Sequence, residues 1–159
     1  MKSMKSLLFA VALAVGFSTQ VSAGPTAIVV VVNNANPLSS MNKAQLSALY
    51  KGRTKEFPNG NSAAAVNLPT GDSIRQDFDK TILNFSSDEA KRYWIDMKIR
   101  SGAAAPPTVP SPAAVARYVG KNANGIGYLP ESDAKRLKIV ARIVGGSFQS
   151  GPFQHRSGR

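Results

Sequence analysis

The sequence predicts an α/β domain: a three-layer arrangement with a mixed β-sheet flanked by helices. Three observations lead there. Ala27-Ile-Val-Val-Val-Val32 is a continuous apolar, β-branched run, which fits a strand covered on both faces. Several later segments carry apolar residues at helical spacing behind recognisable caps. Near the end, Leu137, Ile139, Ala141 and Ile143 alternate with Lys138 and Arg142, the pattern of a strand with one exposed face. With no internal repeat and no domain break, the predicted order is β-α-β-α-α-α-β-β.

The first segment is expected to lie outside the fold. Met1-Lys-Ser-Met-Lys5 is basic, Leu7 to Phe17 is apolar, and Val21-Ser22-Ala23 offers a small-residue cleavage site, so residues 1–23 read as a secretory signal peptide. The apolar run is short for a membrane span, and no later run is long enough for one. The chain has no cysteine, which excludes a lipoprotein anchor, disulfides and a thiol nucleophile. Removing 23 residues from 159 leaves 136 for one modest core. Residues 24–144 form the predicted domain, and residues 145–159, rich in Gly, Ser, Gln, Pro and Arg, are expected to be a flexible basic tail.

After the first strand, the polar loop Asn33 to Ser40 stands where α/β folds often line a ligand cleft, which makes Ser39 and Ser40 candidate donors. Asn42 with Gln45 forms a capping box, Met41 and Leu46 a hydrophobic staple, and Gly52 stops the helix. Pro58-Asn-Gly-Asn61 is a turn, and Ala64 to Leu68 a short strand. A second helix runs to about Asn84. Ser86 and Glu89 cap a third, whose Ala90, Tyr93, Trp94 and Met97 share one face and predict core packing for the sole Trp. The Pro-rich stretch 101–110 reads as a surface connection. Ser111-Pro112 starts a fourth helix with Val115, Tyr118 and Val119 inward, and Asn124 to Leu129 is a turn and strand.

The junction Leu68-Pro-Thr-Gly-Asp-Ser-Ile-Arg-Gln-Asp-Phe78 organises the chain. It reads as a strand end, a tight turn at Gly71 and a helix whose Ile74, Phe78 and Ile82 form a buried stripe. Such a junction aims backbone N–H groups and the positive end of the helix dipole at one spot. Ser73 and Arg75 add a hydroxyl and a cation. The predicted ligand-binding set is therefore Ser39, Ser40, Gly71, Asp72, Ser73, Ile74 and Arg75, with a small anion as ligand. The competing reading has Asp72 occupying those amides as an ordinary N-cap.

Removal of Lys2 and Lys5 with the leader takes the formal charge from +11 to +9. The basic residues are dispersed, and an exported protein without clustered aromatics or base-reading motifs argues against nucleic acid as partner. No His, Cys and carboxylate cluster has metal-ligand spacing, the only histidine is His155, and no catalytic group or cofactor is predicted.

These motifs together resemble the periplasmic phosphate-binding proteins of ABC transporters. Val29-Val-Val-Val-Asn33 followed by Asn36-Pro-Leu-Ser-Ser40 resembles their strand and Asn-Pro loop. Met41-Asn-Lys-Ala-Gln-Leu46 and Leu49-Tyr-Lys-Gly-Arg53 resemble their "Leu-Thr-x-x-Gln-Leu" and "Phe-x-Gly-Lys" segments, and Gly125-Ile-Gly-Tyr128 their "Gly-x-Ile-Gly-Tyr" strand. The resemblance covers about Ile28 to Val140. That family has two lobes of similar size, whereas this chain is long enough for one, so it looks like a short single-lobe relative with a type II binding-protein fold. Tyr93-Trp94 and Pro106-Pro107 are shared with those short relatives. The family's Ser-Gly-Thr phosphate loop is replaced here by Asp72-Ser73-Ile74. The resemblance implies a non-enzymatic periplasmic protein that binds phosphate or a similar oxyanion and works with an ABC transporter permease or another envelope protein. The alternative is an envelope adaptor that kept the fold and lost the ligand site.

Overall fold

The computed structural model describes residues 24–153; the signal peptide at 1–23 and residues 154–159 lie outside the described residues. The elements are β1 (Ile28–Val32), α1 (Lys43–Tyr50), β2 (Ala64–Ala65), α2 (Ser73–Phe78) continuing as a π-helical segment Asp79–Leu83, α3 (Ser87–Ser101), α4 (Pro112–Lys121), β3 (Gly125–Pro130), a 3-10 turn Glu131–Asp133, β4 (Lys138–Val144) and β5 (Ser147–Phe153). They form one five-stranded sheet in the order β2-β3-β1-β4-β5.

The first apolar run becomes the central strand. β1 pairs antiparallel with both β3 and β4, while β2 pairs parallel with β3, so the sheet is mixed. Val29 to Val32 are all 0 % exposed. Successive side chains point to opposite faces of a strand, so full burial of neighbours requires cover on both sides. That is the predicted three-layer arrangement, a mixed sheet flanked by helices.

The caps act where the sequence places them. Asn42 and Gln45 bond reciprocally at the start of α1, Ser86 and Glu89 at the start of α3, and Ser111 accepts from the Ala114 N–H ahead of Pro112. The bond to the Ser86 backbone N–H also pulls the Glu89 carboxyl below its ordinary pKa.

Three expectations are corrected. The stretch predicted to begin a loose tail at Gly145 folds as β5, which pairs antiparallel with β4 through Ile143↔Phe148 and Ile139↔Phe153. Gly145 and Gly146 have φ of +54° and +77° and close a two-residue hairpin, a turn that requires this left-handed backbone. The Ser150 hydroxyl donates to the Met41 carbonyl at 3.0 Å, tying β5 to the loop ahead of α1. Second, the alternation of β4 is broken: the register shifts around Val140, which is buried with Ile139 and Ala141. Arg142 on the other face is also covered, paired with Glu131 and stacked 4.4 Å over the Phe153 ring. Third, α3 contributes less core than its apolar face predicts. Only Ala90 is buried, Tyr93, Trp94 and Met97 are half-buried, and Ile95 and Ile99 are 62 % and 79 % exposed.

Candidate functional site

The strand end that feeds the junction is held from three sides. The Asn67 N–H donates to the Pro107 carbonyl, and the Asn67 carbonyl accepts from the Val109 N–H, each at 2.8 Å. The Tyr128 hydroxyl, on the neighbouring β3, donates to Asn67 Oδ1 at 3.1 Å and accepts from the Leu68 N–H at 3.2 Å. The Tyr128 ring stacks on Phe78 of α2 with centroids 3.9 Å apart, and Tyr50 of α1 meets Phe78 edge-on at 4.8 Å. Burial pushes the pKa of both tyrosines above the ordinary phenol value, so they stay protonated and can donate.

The helix mouth is closed by the protein's own carboxylate. Asp72 has extended backbone angles, and its Oδ1 accepts from the Ile74 N–H at 2.8 Å. This is the N-cap reading, and it removes one of the amides assigned to an anion. Gly71 has no left-handed φ, and a Cβ there would meet nothing within 4 Å, so the turn does not depend on glycine.

Arg75 is placed differently from its prediction. It is 5 % exposed and turned inward. Its Nε donates to Asp79 Oδ2 at 2.7 Å and its Nη1 to the Leu68 carbonyl at 2.8 Å, so it ties α2 back to the strand end. Burial raises the pKa of Asp79, and the Arg75 charge acts against that shift. The reason for the misplacement is a rotation of the helix by one position. The buried stripe is Arg75, Phe78, Asp79 and Ile82, at i, i+3, i+4 and i+7, while Ile74 is only half-buried.

The adjoining face opens on a cavity of about 670 Å³. It receives Ser73, Asp77, Lys80, Thr81 and Asn84, a second stripe along α2 and its π-helical extension, together with Lys43 from the first turn of α1. Asn84, at φ +55°, ends the helix at its rim. Lys43 and Lys80 form no ion pair among the described residues, so two cations and one carboxylate share an open basin with hydroxyl and amide donors. Such π-helical segments recur at binding sites because they push side chains out of regular register.

Of the seven predicted residues, Ser73 and Ile74 line this cavity. Ser39 and Ser40 do not; they are exposed on the loop that precedes Asn42. The cavity sits at the Ile28 and Ile143 end of the paired strands β1 and β4, whereas the Asn33 loop leaves β1 at its other end. Lys43, Lys80, Thr81 and Asn84 were missed by sequence reasoning. The signal was present: Ser73, Asp77, Lys80/Thr81 and Asn84 recur at helical spacing beside the apolar stripe. Among the described residues no group of three His, Cys, Asp or Glu side chains is arranged to hold a metal ion.

Comparison with solved structures places the fold. The chain is similar to an ABC-type phosphate transport receptor from Vibrio cholerae, with a TM-score of 0.57 and 20 % identity, over 73 % of this chain and 46 % of the receptor. It is similar to PstS from Borrelia burgdorferi, with a TM-score of 0.56 and 12 % identity, over 73 % of this chain and 47 % of that one. A phosphate ABC transporter substrate-binding protein from Clostridium perfringens, solved with bound phosphate, matches with a TM-score of 0.55 and 16 % identity, over 80 % of this chain and 45 % of that one. No protein-family model and no curated protein matches the chain. The chain thus spans a little under half the length of the structures it matches, with the fold of one lobe of a type II binding protein.

Proposed function

We propose that this protein is an exported, periplasmic single-lobe solute-binding protein, non-enzymatic, that takes phosphate or a similar small oxyanion in association with phosphate ABC transport. The observation that carries the reading is the match of most of the chain to just under half of several phosphate transport receptors. No helix among the described residues is long and apolar enough to cross a membrane.

The anion sits in the Ser73 basin rather than at the helix mouth. Ser73, Thr81 and Asn84 supply neutral donors, and Lys43 and Lys80 supply charge. The Asp77 carboxylate in the basin, with Asp72 at the helix start next to Ser73, repels a fully ionised anion but can accept a hydrogen bond from a protonated phosphate, which sulfate does not offer. A single open wall leaves the bound ion in contact with water, so affinity is modest and falls with salt. A second wall, from a transporter permease or another envelope protein, would tighten it.

Calorimetry with phosphate and with sulfate tests this. Phosphate heat saturating in the millimolar range, preferred over sulfate and diminished several-fold by Ser73→Ala or Lys80→Gln, supports the reading. Absence of heat with either ion up to several millimolar ends it.

One observation favours a second reading, the envelope adaptor. α3 buries only Ala90 and presents Ile95 and Ile99, one turn apart, to solvent. Contiguous exposed apolar surface marks protein contacts, and these two isoleucines would be its centre here. Capture of an envelope protein by the native chain but not by Ile95→Lys/Ile99→Lys, with no phosphate heat in either, would favour the adaptor.

A further inference from the structure

Arg75 leaves part of its hydrogen-bonding capacity unused. Nε and Nη1 are bonded to Asp79 and Leu68, but Nη2 has no partner among the described residues. Asn67 is 3 % exposed and in the same position: its Oδ1 is taken by Tyr128, while its Nδ2 has no partner among the described residues. Neither nitrogen is sealed from solvent, since among the described residues the buried, unbonded side-chain nitrogens and oxygens are Asp79 Oδ1 and Arg142 Nε. Both residues instead line one cavity of about 180 Å³, on a different set of residues from the Ser73 basin.

The remaining walls define what that cavity takes. Trp94 and Ala90 of α3 form one side and Ala105 and Pro106 of the Pro-rich connection another, with the Thr70 and Thr108 hydroxyls at the edge. The connection is not a loose loop here, because its Pro107 and Val109 are bonded to Asn67. Most of the exposed wall is therefore apolar, and Arg75 and Asn67 supply the unbonded N–H groups among its lining. An inorganic oxyanion would lose water against those apolar walls without replacement. A carboxylate with an apolar body satisfies both ends.

We propose that this cavity is a binding site for a small carboxylate with an aromatic or compact apolar body, its carboxylate held by Arg75 Nη2 and Asn67 Nδ2 and its body against Trp94 and Pro106. Lys91 in the lining is paired with Asp88 at 3.8 Å, and Asp79 already neutralises much of Arg75, so binding is of modest strength. The site does not depend on the oxyanion reading of the Ser73 basin.

Trp94 is the only tryptophan, so its fluorescence reports the cavity directly. The protein is titrated with benzoate, with uncharged benzamide, and with inorganic phosphate. The expected result is a saturable change with benzoate, at least ten-fold weaker with benzamide, absent with phosphate, and unaltered by Lys80→Gln in the other basin. Ala105→Leu, which fills the cavity without touching Arg75, abolishes the change while far-UV circular dichroism is retained. In NMR the Asn67 carboxamide signals move with benzoate. No saturable response, equal responses to benzoate and benzamide, a phosphate response matching that of benzoate, or unmoved Asn67 signals would each overturn the proposal.

Discussion

Asp72 caps α2 next to the proposed anion basin without lining it, and replacing it separates its two roles. Its carboxylate accepts from the Ile74 N–H at 2.8 Å and places a negative charge beside Ser73. Loss of an Asp N-cap costs about 1 kcal/mol, and the lost attraction to the helix dipole a further ~0.5 kcal/mol. Serine caps as well as aspartate, so Asp72→Ser loses only the dipole contribution, roughly 0.5 kcal/mol. Stability in urea therefore falls in the order native, Asp72→Ser, Asp72→Ala. Affinity for a fully ionised anion moves the other way. A unit charge about 5 Å from another in water-like dielectric contributes about 0.8 kcal/mol, roughly a four-fold change in affinity. Both variants should bind sulfate more tightly by up to about that factor, because Asp72 stands beside the basin rather than in it, and the gain should shrink as salt is raised. Phosphate should gain less, because one of the two nearby carboxylates able to accept its proton is gone while Asp77 stays. Calorimetry at two ionic strengths reads both effects. Unchanged or weaker sulfate binding in Asp72→Ser, or an Asp72→Ala variant as stable as the native chain, would refute the reasoning.

Two further outcomes follow from packing. A Cβ at Gly127 would lie 2.5 Å from Val115 Cγ1 and 3.3 Å from Val66 Cγ2, so Gly127→Ala should destabilise by about 1–3 kcal/mol in urea denaturation, with a fall of less than 0.5 kcal/mol contradicting the close fit of α4 on β3. Truncation after Val144 removes β5 with Phe148 and Phe153, both half-buried on the core, and should cost about 2–3 kcal/mol; a truncated chain of native stability would show that β5 adds nothing to the fold.

Much of the fold is written in local chemistry. The Asn42/Gln45 and Ser86/Glu89 boxes and the Ser111-Pro112 start sit at real helix ends because each satisfies amides within three residues of itself. The unbroken Val29 to Val32 run announces a strand covered on both faces. What local chemistry does not carry is the identity of distant partners. β5 has the composition of a tail, and only pairing with β4 makes it a strand. Ser39 and Ser40 follow a strand, as cleft residues often do, yet the loop leaves β1 at the end away from the Ser73 basin. Arg75 looks like a solvent-facing cation until the fold brings the Leu68 carbonyl to it, although its other partner, Asp79, is a local i+4 neighbour. Phe78 and Ile82 are buried as the pattern predicts, but the stripe begins at Arg75 rather than Ile74, which turns Arg75 inward and leaves Ser73 and Asp77 on the flank that faces the cavity.

A phosphate titration followed by amide NMR tests the central claim most directly. The account predicts saturable shifts at Ser73, Ile74, Thr81 and Asn84, with Gly71 and Asn67 little moved and the shifts weakened in Lys80→Gln. Signals in that stripe that stay in place at saturating phosphate, or shifts confined to residues around Asn67 and Trp94, would contradict it.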